Sequence, residues 1–168
     1  MANMNHKKKI SGVTLNIIVA VAKDGLLGDG NPSGNGLLWH SKEELQYYKE
    51  RTVGNVTIFG GKTAQVVPID LMRKTRIVEV LHRGMDIDAI LSKYAGSDKQ
   101  VYICGGASIY KYFLENYEMD NIYISRIKDH IEVAPASEPL YLPDVMEYGY
   151  KLVESKDYND FVAKVYRK

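Results

Sequence analysis

The longest apolar stretch of the chain, residues 15–22 (LNIIVAVA), has almost no polar interruption. A strand buried on both faces of a parallel sheet has this pattern, whereas a half-exposed strand alternates between apolar and polar residues. The sequence therefore predicts a central first strand here. Shorter apolar runs predict further strands at residues 55–59, 76–81, 100–104 and 121–126.

Helical patterns lie between and beside these runs. They span residues 39–52, 60–67, 86–94 and 107–116, and two strand patterns at 148–154 and 160–166 end the chain. Strands that alternate with helices favour a parallel sheet, and the last two strands can close antiparallel. We predict one α/β domain over residues 15–168, with a mostly parallel central sheet, an antiparallel C-terminal strand and flanking helices.

A glycine-rich segment with one proline, residues 23–36, follows the first predicted strand. Because glycine is costly to order inside a helix or strand, we expect this segment to form a long loop. The loop ends where the helix over residues 39–52 begins, so it is a candidate lid over a site at that helix.

That helix carries one carboxylate, Glu44, at the border of its apolar side. Leu45, Tyr48 and Thr52 recur at helical spacing on one face, and Ser41 is a candidate N-cap. Ser41 followed three residues later by Glu44 fits a capping box, which is the commoner reason for such a pair. A catalytic carboxylate is the alternative, and the local pattern leaves both open.

The 168 residues carry a net charge of +1, so no overall field favours nucleic acid or an acidic membrane surface. No apolar run reaches the ~18 to 20 residues that a membrane helix needs. The polar segment over residues 1–14 is expected to be a disordered tail rather than a signal peptide. The single cysteine, Cys104, excludes an internal disulfide, and we expect a cytoplasmic protein.

A strand pattern followed by two glycines and a helix pattern occurs twice, at residues 56–63 (VTIFGGKT) and 101–110 (VYICGGASIY). Each places backbone N–H groups at the carboxyl end of a strand, where a phosphate can bind. One such turn is weak evidence, because glycine also serves ordinary backbone geometry. Two at the same edge of one sheet favour a dinucleotide.

Other chemistries lack their sequence signatures. A nucleotide-hydrolase loop needs a glycine at the position of Val56, and Gly28, Gly30 and Gly34 lack the Rossmann spacing. The four histidines stand at no metal-ligand spacing, and no serine lies in a nucleophile-elbow motif. The thirteen tyrosines have no accompanying basic stripe. We expect no metal site, no hydrolytic triad and no nucleic-acid or membrane partner.

Four segments in order along the chain carry a resemblance to a known family: IIVAVAKDGLLG, WHSKEELQYYKERT, VTIFGGKT and VYICGGASIY. Together they resemble dihydrofolate reductase over most of residues 15–125. The resemblance implies a single-domain dihydrofolate reductase-like fold and hydride transfer from NADPH to 7,8-dihydrofolate. Glu44 occupies the place of the family's one active-site acid, which favours a catalytic role that can coexist with the cap.

The resemblance also assigns a role to each position that matches a family motif. Glu44 would hold the pterin edge and promote its protonation as the catalytic acid, with Trp39 ordering a bridging water. The substrate would be bound by Leu45, Tyr48, Lys49, Val67, Arg73, Cys104 and Ser125. NADPH would be bound by Ala20, Leu27, Gly28, Leu37, Gly61, Lys62, Thr63, His82, Gly105, Gly106, Ala107, Ser108, Ile109 and Tyr110. A cis peptide bond between the paired glycines Gly105 and Gly106 is implied as well.

The chain departs from the family pattern in its substrate region. Tyr48 stands where the family usually has phenylalanine, which puts a hydroxyl into an apolar slot. The loop that precedes Trp39 is longer than in the commonest bacterial members. For the substrate's glutamate we expect Arg73, or Lys74 with a one-residue shift, and regard Arg76 as less suited.

Cofactor choice depends on a second departure, because Gly61 replaces a family arginine. Lys62, His82 and Arg83 remain as cations for a 2′-phosphate, whereas Glu79 would repel it and could bind a ribose hydroxyl instead. If Glu79 faces away from the cofactor, we expect a modest preference for NADPH over NADH.

Two alternatives compete with a dihydrofolate reductase. One is the pyrimidine reductase of riboflavin synthesis, which has the same fold but lacks this helix acid pattern. The other is a non-catalytic binding module with a degenerate site. The partners expected for the leading hypothesis are the small-molecule substrate and antifolate inhibitors, and the chain is expected to be a monomer.

Overall fold

A computed structural model describes residues 7–31 and 37–168. Its strands are β1 (Leu15–Val21), β2 (Leu26–Asp29), β3 (Val56–Gly60), β4 (Ile77–Leu81), β5 (Val101–Ile103), β6 (Asn121–Ile127), β7 (Pro139–Tyr141), β8 (Lys151–Asp157) and β9 (Phe161–Arg167). Its α-helices are α1 (Lys42–Thr52), α2 (Gly61–Ala64), α3 (Ile69–Met72), α4 (Ile87–Ser92) and α5 (Ala107–Asn116). Two 3-10 turns lie at Lys23–Gly25 and Val145–Tyr148.

Seven strands form one sheet in the order β4, β3, β5, β1, β6, β9, β8, with β1 in the middle. The strands from β4 to β6 are parallel to their neighbours, whereas β9 pairs antiparallel with both β6 and β8. All seven correspond to strands that the sequence predicts, within about three residues. The predicted mostly parallel sheet with an antiparallel C-terminal strand is confirmed.

The sheet is covered on both faces, which explains the nearly continuous apolar pattern of β1. Ile17 and Val19 face the larger core, which α5 closes with Phe113 and Leu114. Ile18 faces the opposite side, where it packs in a smaller cluster with residues that include Tyr48 of α1. Helix α1 therefore lies across one face of the sheet, with its first turn near the carboxyl ends of β1 and β6.

The glycine-rich segment after β1 contains a strand that the sequence patterns do not predict. Residues Leu26–Asp29 pair antiparallel with Pro139–Tyr141, more than 100 residues later in the chain. The Asp29 carboxylate accepts hydrogen bonds from the backbone N–H groups of Ser137 and Glu138, both at 2.9 Å. The expectation of a loop throughout residues 23–36 is therefore wrong for this part, because a distant strand supplies the pairing. Residues 32–36 of the predicted lid lie outside the described residues.

The N-terminal segment differs from the predicted disordered tail over residues 7–14. The Lys8 N–H donates to the Asn116 carbonyl at 2.9 Å, and the Glu118 N–H donates to the Lys8 carbonyl at 2.8 Å. The ammonium groups of Lys8 and Lys9 pair with Asp88 and Asp120 at 2.8 and 3.2 Å. These two lysines thus pair with acidic side chains in α4 and just before β6, and residues 1–6 lie outside the described residues.

Within the described ranges, no helix is long and apolar enough to cross a membrane. The same ranges contain no group of three or more His, Cys, Asp or Glu side chains that could hold a metal ion.

Candidate active site

Helix α1 begins at the position that its capping residue predicts. Ser41 is extended, with φ −146° and ψ 115°, and its hydroxyl oxygen accepts a hydrogen bond from the Glu44 N–H at 3.1 Å. The same hydroxyl donates to Asp160 at 2.6 Å, and the Glu43 carboxylate accepts from the Asp160 N–H at 2.8 Å. The first turn of α1 is therefore fixed to the turn between β8 and β9, which sets where the Glu44 side chain lies.

Glu44 is the one carboxyl of this turn that faces the sheet. Its carboxylate is hydrogen-bonded to Ser125 of β6, whose side chain is almost completely buried. Burial raises the pKa of Glu44 to about 7, although the Ser125 hydroxyl acts in the opposite direction. Ala20 of β1 pairs directly with Ser125 in the sheet register, so it borders the same point. The acid is therefore poised to exchange a proton near neutral pH.

One turn further along α1, the Tyr48 side chain forms a wall of the same region. It packs against a buried cluster of Phe59, Met72 and Val78, which Val67 and Cys104 also contact. The structure thus brings the predicted substrate residues at positions 48, 67 and 104 together. Phe59 and Met72 were not predicted, because nothing in their local pattern separates a slot residue from a core residue.

The hydroxyl of Tyr48 does not remain unpaired in this apolar wall, because it is hydrogen-bonded to the Cys104 thiol. Burial raises the pKa of Cys104 to about 12 and that of Tyr48 well above its usual range. Both groups are therefore neutral at physiological pH. The thiol in turn donates to the Tyr102 carbonyl at 3.4 Å.

Three other predicted residues lie at the rim of the site. Trp39, just before α1, packs against a cluster that includes Tyr47 and Phe161. Leu45 is 42% exposed and Lys49 is exposed. The predicted apolar stripe was therefore wrong at Leu45: Tyr47 is buried instead, whereas Tyr48 and Thr52 face the sheet as predicted.

The arginine expected to bind the substrate's glutamate is on the surface. The Arg73 guanidinium is exposed and stands 3.9 Å from the Asp70 carboxylate. Arg76 is half-buried, its Nε donates to the Thr52 hydroxyl at 2.9 Å, and its guanidinium lies 5.6 Å from the Tyr48 ring centre. Over residues 7–31 and 37–168, no carboxylate lies within ion-pair distance of Arg76. Spacing alone could not reveal this, because the helix α3 that precedes β4 was not predicted.

The two predicted glycine turns meet at the carboxyl edge of the sheet. The Gly60 N–H donates to the Gly105 carbonyl at 2.8 Å, and the peptide bond between Gly105 and Gly106 is cis, as the resemblance implies. A Cβ at Gly60 would lie 2.7 Å from the Ile109 side chain, and one at Gly106 would lie 2.9 Å from the Thr63 hydroxyl. Only glycine allows this close approach of the two turns.

Polar groups surround this pair of turns. The buried Tyr110 hydroxyl donates to the Ile18 carbonyl at 2.9 Å, which ties α5 to β1. Lys62 is exposed and its ammonium donates to the Gly30 carbonyl at 3.0 Å. Ala107 and Ser108 form the exposed or half-buried first turn of α5. These residues offer hydroxyls, backbone N–H groups and one cation on a single surface.

Gly61, which replaces a family arginine, is covered by an imidazole. A Cβ at this position would lie 3.1 Å from Nδ1 of His82. Glu79 points toward α4, where its carboxylate accepts from the Tyr94 hydroxyl and the Lys93 ammonium, both at 2.6 Å. Burial would raise the pKa of Glu79, but these two partners lower it overall. Its charge is therefore already paired.

The remaining predicted cofactor residues lie along the segment after β1. Leu27 packs against the larger core, and Gly28 is buried within β2. Leu37 is 63% exposed at the far end of the glycine-rich segment. The structure therefore brings the predicted residues of the two glycine turns together at one edge of the sheet, whereas Arg73 is an exposed residue after α3.

Comparison with known proteins agrees with this arrangement. A sequence profile described as dihydrofolate reductase matches residues 14–166. The dihydrofolate reductase of Mycoplasma genitalium is 29% identical over 125 residues, covering 66% of this chain and 74% of the relative. That of Neisseria meningitidis is 30% identical over 107 residues, covering 57% of this chain and 62% of the relative.

A solved structure shows the same fold at lower identity. The dihydrofolate reductase from Enterococcus faecalis, complexed with NADP(H) and RAB-propyl, superposes with a TM-score of 0.70 and 19% identity. The match covers 94% of this chain and 97% of that chain. The fold follows from this likeness, and the family follows from the profile match over nearly the whole domain. This chain belongs to the dihydrofolate reductase family.

Proposed function

We propose that this chain reduces 7,8-dihydrofolate to 5,6,7,8-tetrahydrofolate with NADPH as the hydride donor. The observation that carries the proposal is Glu44, a sheet-facing carboxyl with a pKa of about 7 beside Ser125. It lies at the strand edge where the two glycine turns meet. Membership of the dihydrofolate reductase family and the NADP(H) bound to the Enterococcus faecalis relative support this reading.

The residues around the glycine turns fit a dinucleotide. Gly60 and Gly106 are positions at which a Cβ would collide with Ile109 or Thr63, so glycine there lets the two turns and their backbone N–H groups come together. Thr63 and Ser108 supply hydroxyls, and Lys62 supplies a cation. Phosphate oxygens are bound by such donors. We propose that Lys62, Thr63 and residues 105–110 hold the phosphates and ribose.

NADPH, when bound, supplies the hydride that adds to the carbon of the pterin C6=N5 bond. The protein has to hold the pterin, exclude water and favour a proton on N5. We propose that Glu44 pairs with the amidine edge of the pterin and raises the basicity of its ring system. A pKa of about 7 lets Glu44 take part in proton exchange with solvent at neutral pH, since both protonation states are populated. Ser125 keeps the carboxyl in place, and Trp39 stands at the entrance.

The glutamate tail of the substrate needs a cation further along α1. We propose Arg76 for this role in place of Arg73. Thr52, which holds the Arg76 guanidinium, is eight residues after Glu44, or about 12 Å along the helix axis. An extended substrate with its pterin at Glu44 would bring its carboxylates to that end, where a half-buried guanidinium binds a carboxylate strongly.

Two variants separate these assignments. Arg76→Gln should raise KM for dihydrofolate at least tenfold and leave KM for a pterin without glutamate within twofold. Arg73→Gln, the matched change on the surface, should alter neither value. Equal KM effects of Arg76→Gln on the two substrates would show that Arg76 only supports α1 through Thr52.

The proposed reaction is tested by the loss of absorbance at 340 nm with dihydrofolate and NADPH. Glu44→Gln keeps the side-chain shape and removes the acid, so kcat/KM at pH 7 should fall by about 10² or more. Glu154→Gln, a matched change on the exposed strand β8, should leave it unchanged. No oxidation of NADPH that depends on dihydrofolate would refute the proposal and favour the pyrimidine reductase or a binding module.

We further propose a monomeric cytoplasmic enzyme, to which diaminopyrimidine antifolates bind in competition with dihydrofolate. The residues assigned above to the two ligands need no contribution from a second copy of the chain. Light scattering during size exclusion tests it, and a dimer mass of about 38 kDa, twice the 19.0 kDa of the chain, would contradict it.

A further inference from the structure

Besides the candidate active site, the structure has a cavity beside the C-terminal half of α1. Its volume is about 400 Å³, and it is lined by Tyr47, Glu50, Arg51, Asn55, Gln100, Tyr102 and Tyr158. Asn55 and Gln100 immediately precede β3 and β5, so the cavity is at the amino ends of these strands. Glu44 and the glycine turns are at the carboxyl ends. The cavity is therefore separate from the proposed active site, although both lie along the same helix.

The cation of this cavity is Arg51. Its guanidinium carbon lies 4.2 Å from the ring centre of Tyr123 and 4.9 Å from that of Tyr47. Its Nε is buried and, among residues 7–31 and 37–168, has no hydrogen-bond partner. No carboxylate in these ranges lies within ion-pair distance of the guanidinium. A guanidinium on the wall of a cavity that has no carboxylate partner of its own is suited to bind an anionic group there.

The wall around Arg51 is held in place by hydrogen bonds. The Gln100 N–H donates to the Asn55 side-chain oxygen at 2.9 Å, and the Asn55 amide donates to the Arg51 carbonyl at 3.1 Å. The Gln100 side-chain oxygen accepts from Asn16 of β1 at 2.9 Å. A ligand would therefore meet a preorganised surface, which lowers the entropic cost of binding.

The tyrosines supply neutral donors and apolar surface. Burial raises the pKa of Tyr102 to about 12 and also raises that of Tyr47, so both phenols stay protonated at pH 7. Glu50 is the one carboxylate among the lining residues, and it is exposed and accepts from the Gln46 amide at 3.2 Å. Three aromatic rings and one cation thus line a space within the ~300 to 1,000 Å³ range of small-molecule sites.

We propose that this cavity binds a small aromatic carboxylate. The carboxylate would accept hydrogen bonds from the Arg51 guanidinium, and the aromatic ring would pack against Tyr47, Tyr102 and Tyr158. Glu50 at the rim would oppose the negative charge and limit the affinity. The site needs no other part of the proposed function, so its failure would leave the reductase proposal intact.

Benzoate is the probe that tests the proposal, by calorimetric titration of the whole chain at low salt. The chain is first saturated with a diaminopyrimidine antifolate, so that benzoate cannot bind in the pterin slot. We expect one saturable site in the millimolar range. Inorganic phosphate, which has the charge without the ring, should bind at least tenfold more weakly. Absence of saturable benzoate binding, or equal binding of phosphate, would overturn the assignment.

Three variants locate the site. Arg51→Gln should weaken benzoate binding at least tenfold, whereas Arg73→Gln, an arginine on the surface, should leave it unchanged. Glu50→Gln removes the opposing charge from an exposed side chain and should tighten binding about threefold. If Arg51→Gln does not fold, the benzoate affinity of Glu50→Gln tests the proposal by itself. Unchanged affinity in Glu50→Gln and Arg51→Gln would place the benzoate elsewhere and refute the proposal.

Discussion

Replacing Glu44 by glutamine should stabilise the folded protein above neutral pH while it removes activity. In the folded chain burial raises the pKa of Glu44 from its ordinary value of 4.5 to about 7. Between these two values the unfolded chain loses a proton that the folded chain keeps, so stability falls as pH rises through this window. Below pH 4.5 both states are protonated and the penalty vanishes.

The size of this penalty follows from the two pKa values. At about 1.36 kcal/mol per pKa unit, the difference between 4.5 and about 7 corresponds to about 3 kcal/mol at pH 8. At pH 5 most of that penalty has not yet developed. Because Glu44 is only half-buried, we expect the gain from Glu44→Gln to be about 2 kcal/mol larger at pH 8 than at pH 5.

Urea unfolding of both chains at pH 5 and pH 8 measures this difference directly. Glu154→Gln on the exposed strand β8 is the control, and its effect should be the same at both pH values. An equal effect of Glu44→Gln at pH 5 and pH 8 would show that the folded chain does not hold the carboxyl protonated. The proton-exchange role proposed for Glu44 would then lose its physical basis.

Three further predictions concern the slot and the cofactor. Tyr48→Phe removes the hydroxyl that is paired with Cys104. A bound antifolate would disturb this pair, which is worth about 1 kcal/mol, so the inhibition constant of a diaminopyrimidine antifolate should fall about fivefold in the variant. An unchanged inhibition constant would show that the ligand leaves the pair intact. His82→Gln removes the imidazole that covers Gly61, the position where the family has an arginine. The variant should bind NADPH about threefold more weakly and bind NADH unchanged. Fluorescence titration at low salt measures both dissociation constants. Glu79→Gln should leave the ratio of the two constants unchanged, because Glu79 faces α4; a shift toward NADPH would show that its carboxylate acts on the ribose.

Local sequence determined the elements whose signals are complete within a short window. The nearly continuous apolar run from Leu15 predicts a strand buried on both faces, since a half-exposed strand would alternate between apolar and polar residues. Ser41 fixes the start of α1 because its hydroxyl satisfies a free N–H of the first turn. The paired glycines predict close backbone approach, and the contact of Gly106 with Thr63 confirms it.

The small sheet of β2 and β7 depends on tertiary pairing instead. The predicted loop around Gly28 becomes a strand because Pro139–Tyr141, far along the chain, supplies hydrogen-bond partners. Likewise, the lysines at positions 8 and 9 become ordered because Asp88 and Asp120 lie opposite them. The residue propensities of a short sequence window carry no information about a pairing partner that lies about a hundred residues away.

The same distinction applies to the site. The sequence alone placed an acid on α1, but its pKa of about 7 comes from burial, which outweighs the opposite effect of the Ser125 hydroxyl. It offered three cations between residues 73 and 76 with little to choose among them, and the fold brings Arg76 beside Thr52 and Tyr48, which is the ground on which we propose it. Sequence therefore determined which chemical groups this protein carries, whereas the tertiary structure decided which of them meet and how strongly water is removed from them. The physical reason is that dielectric environment and hydrogen-bond partners are properties of the packed molecule rather than of any segment.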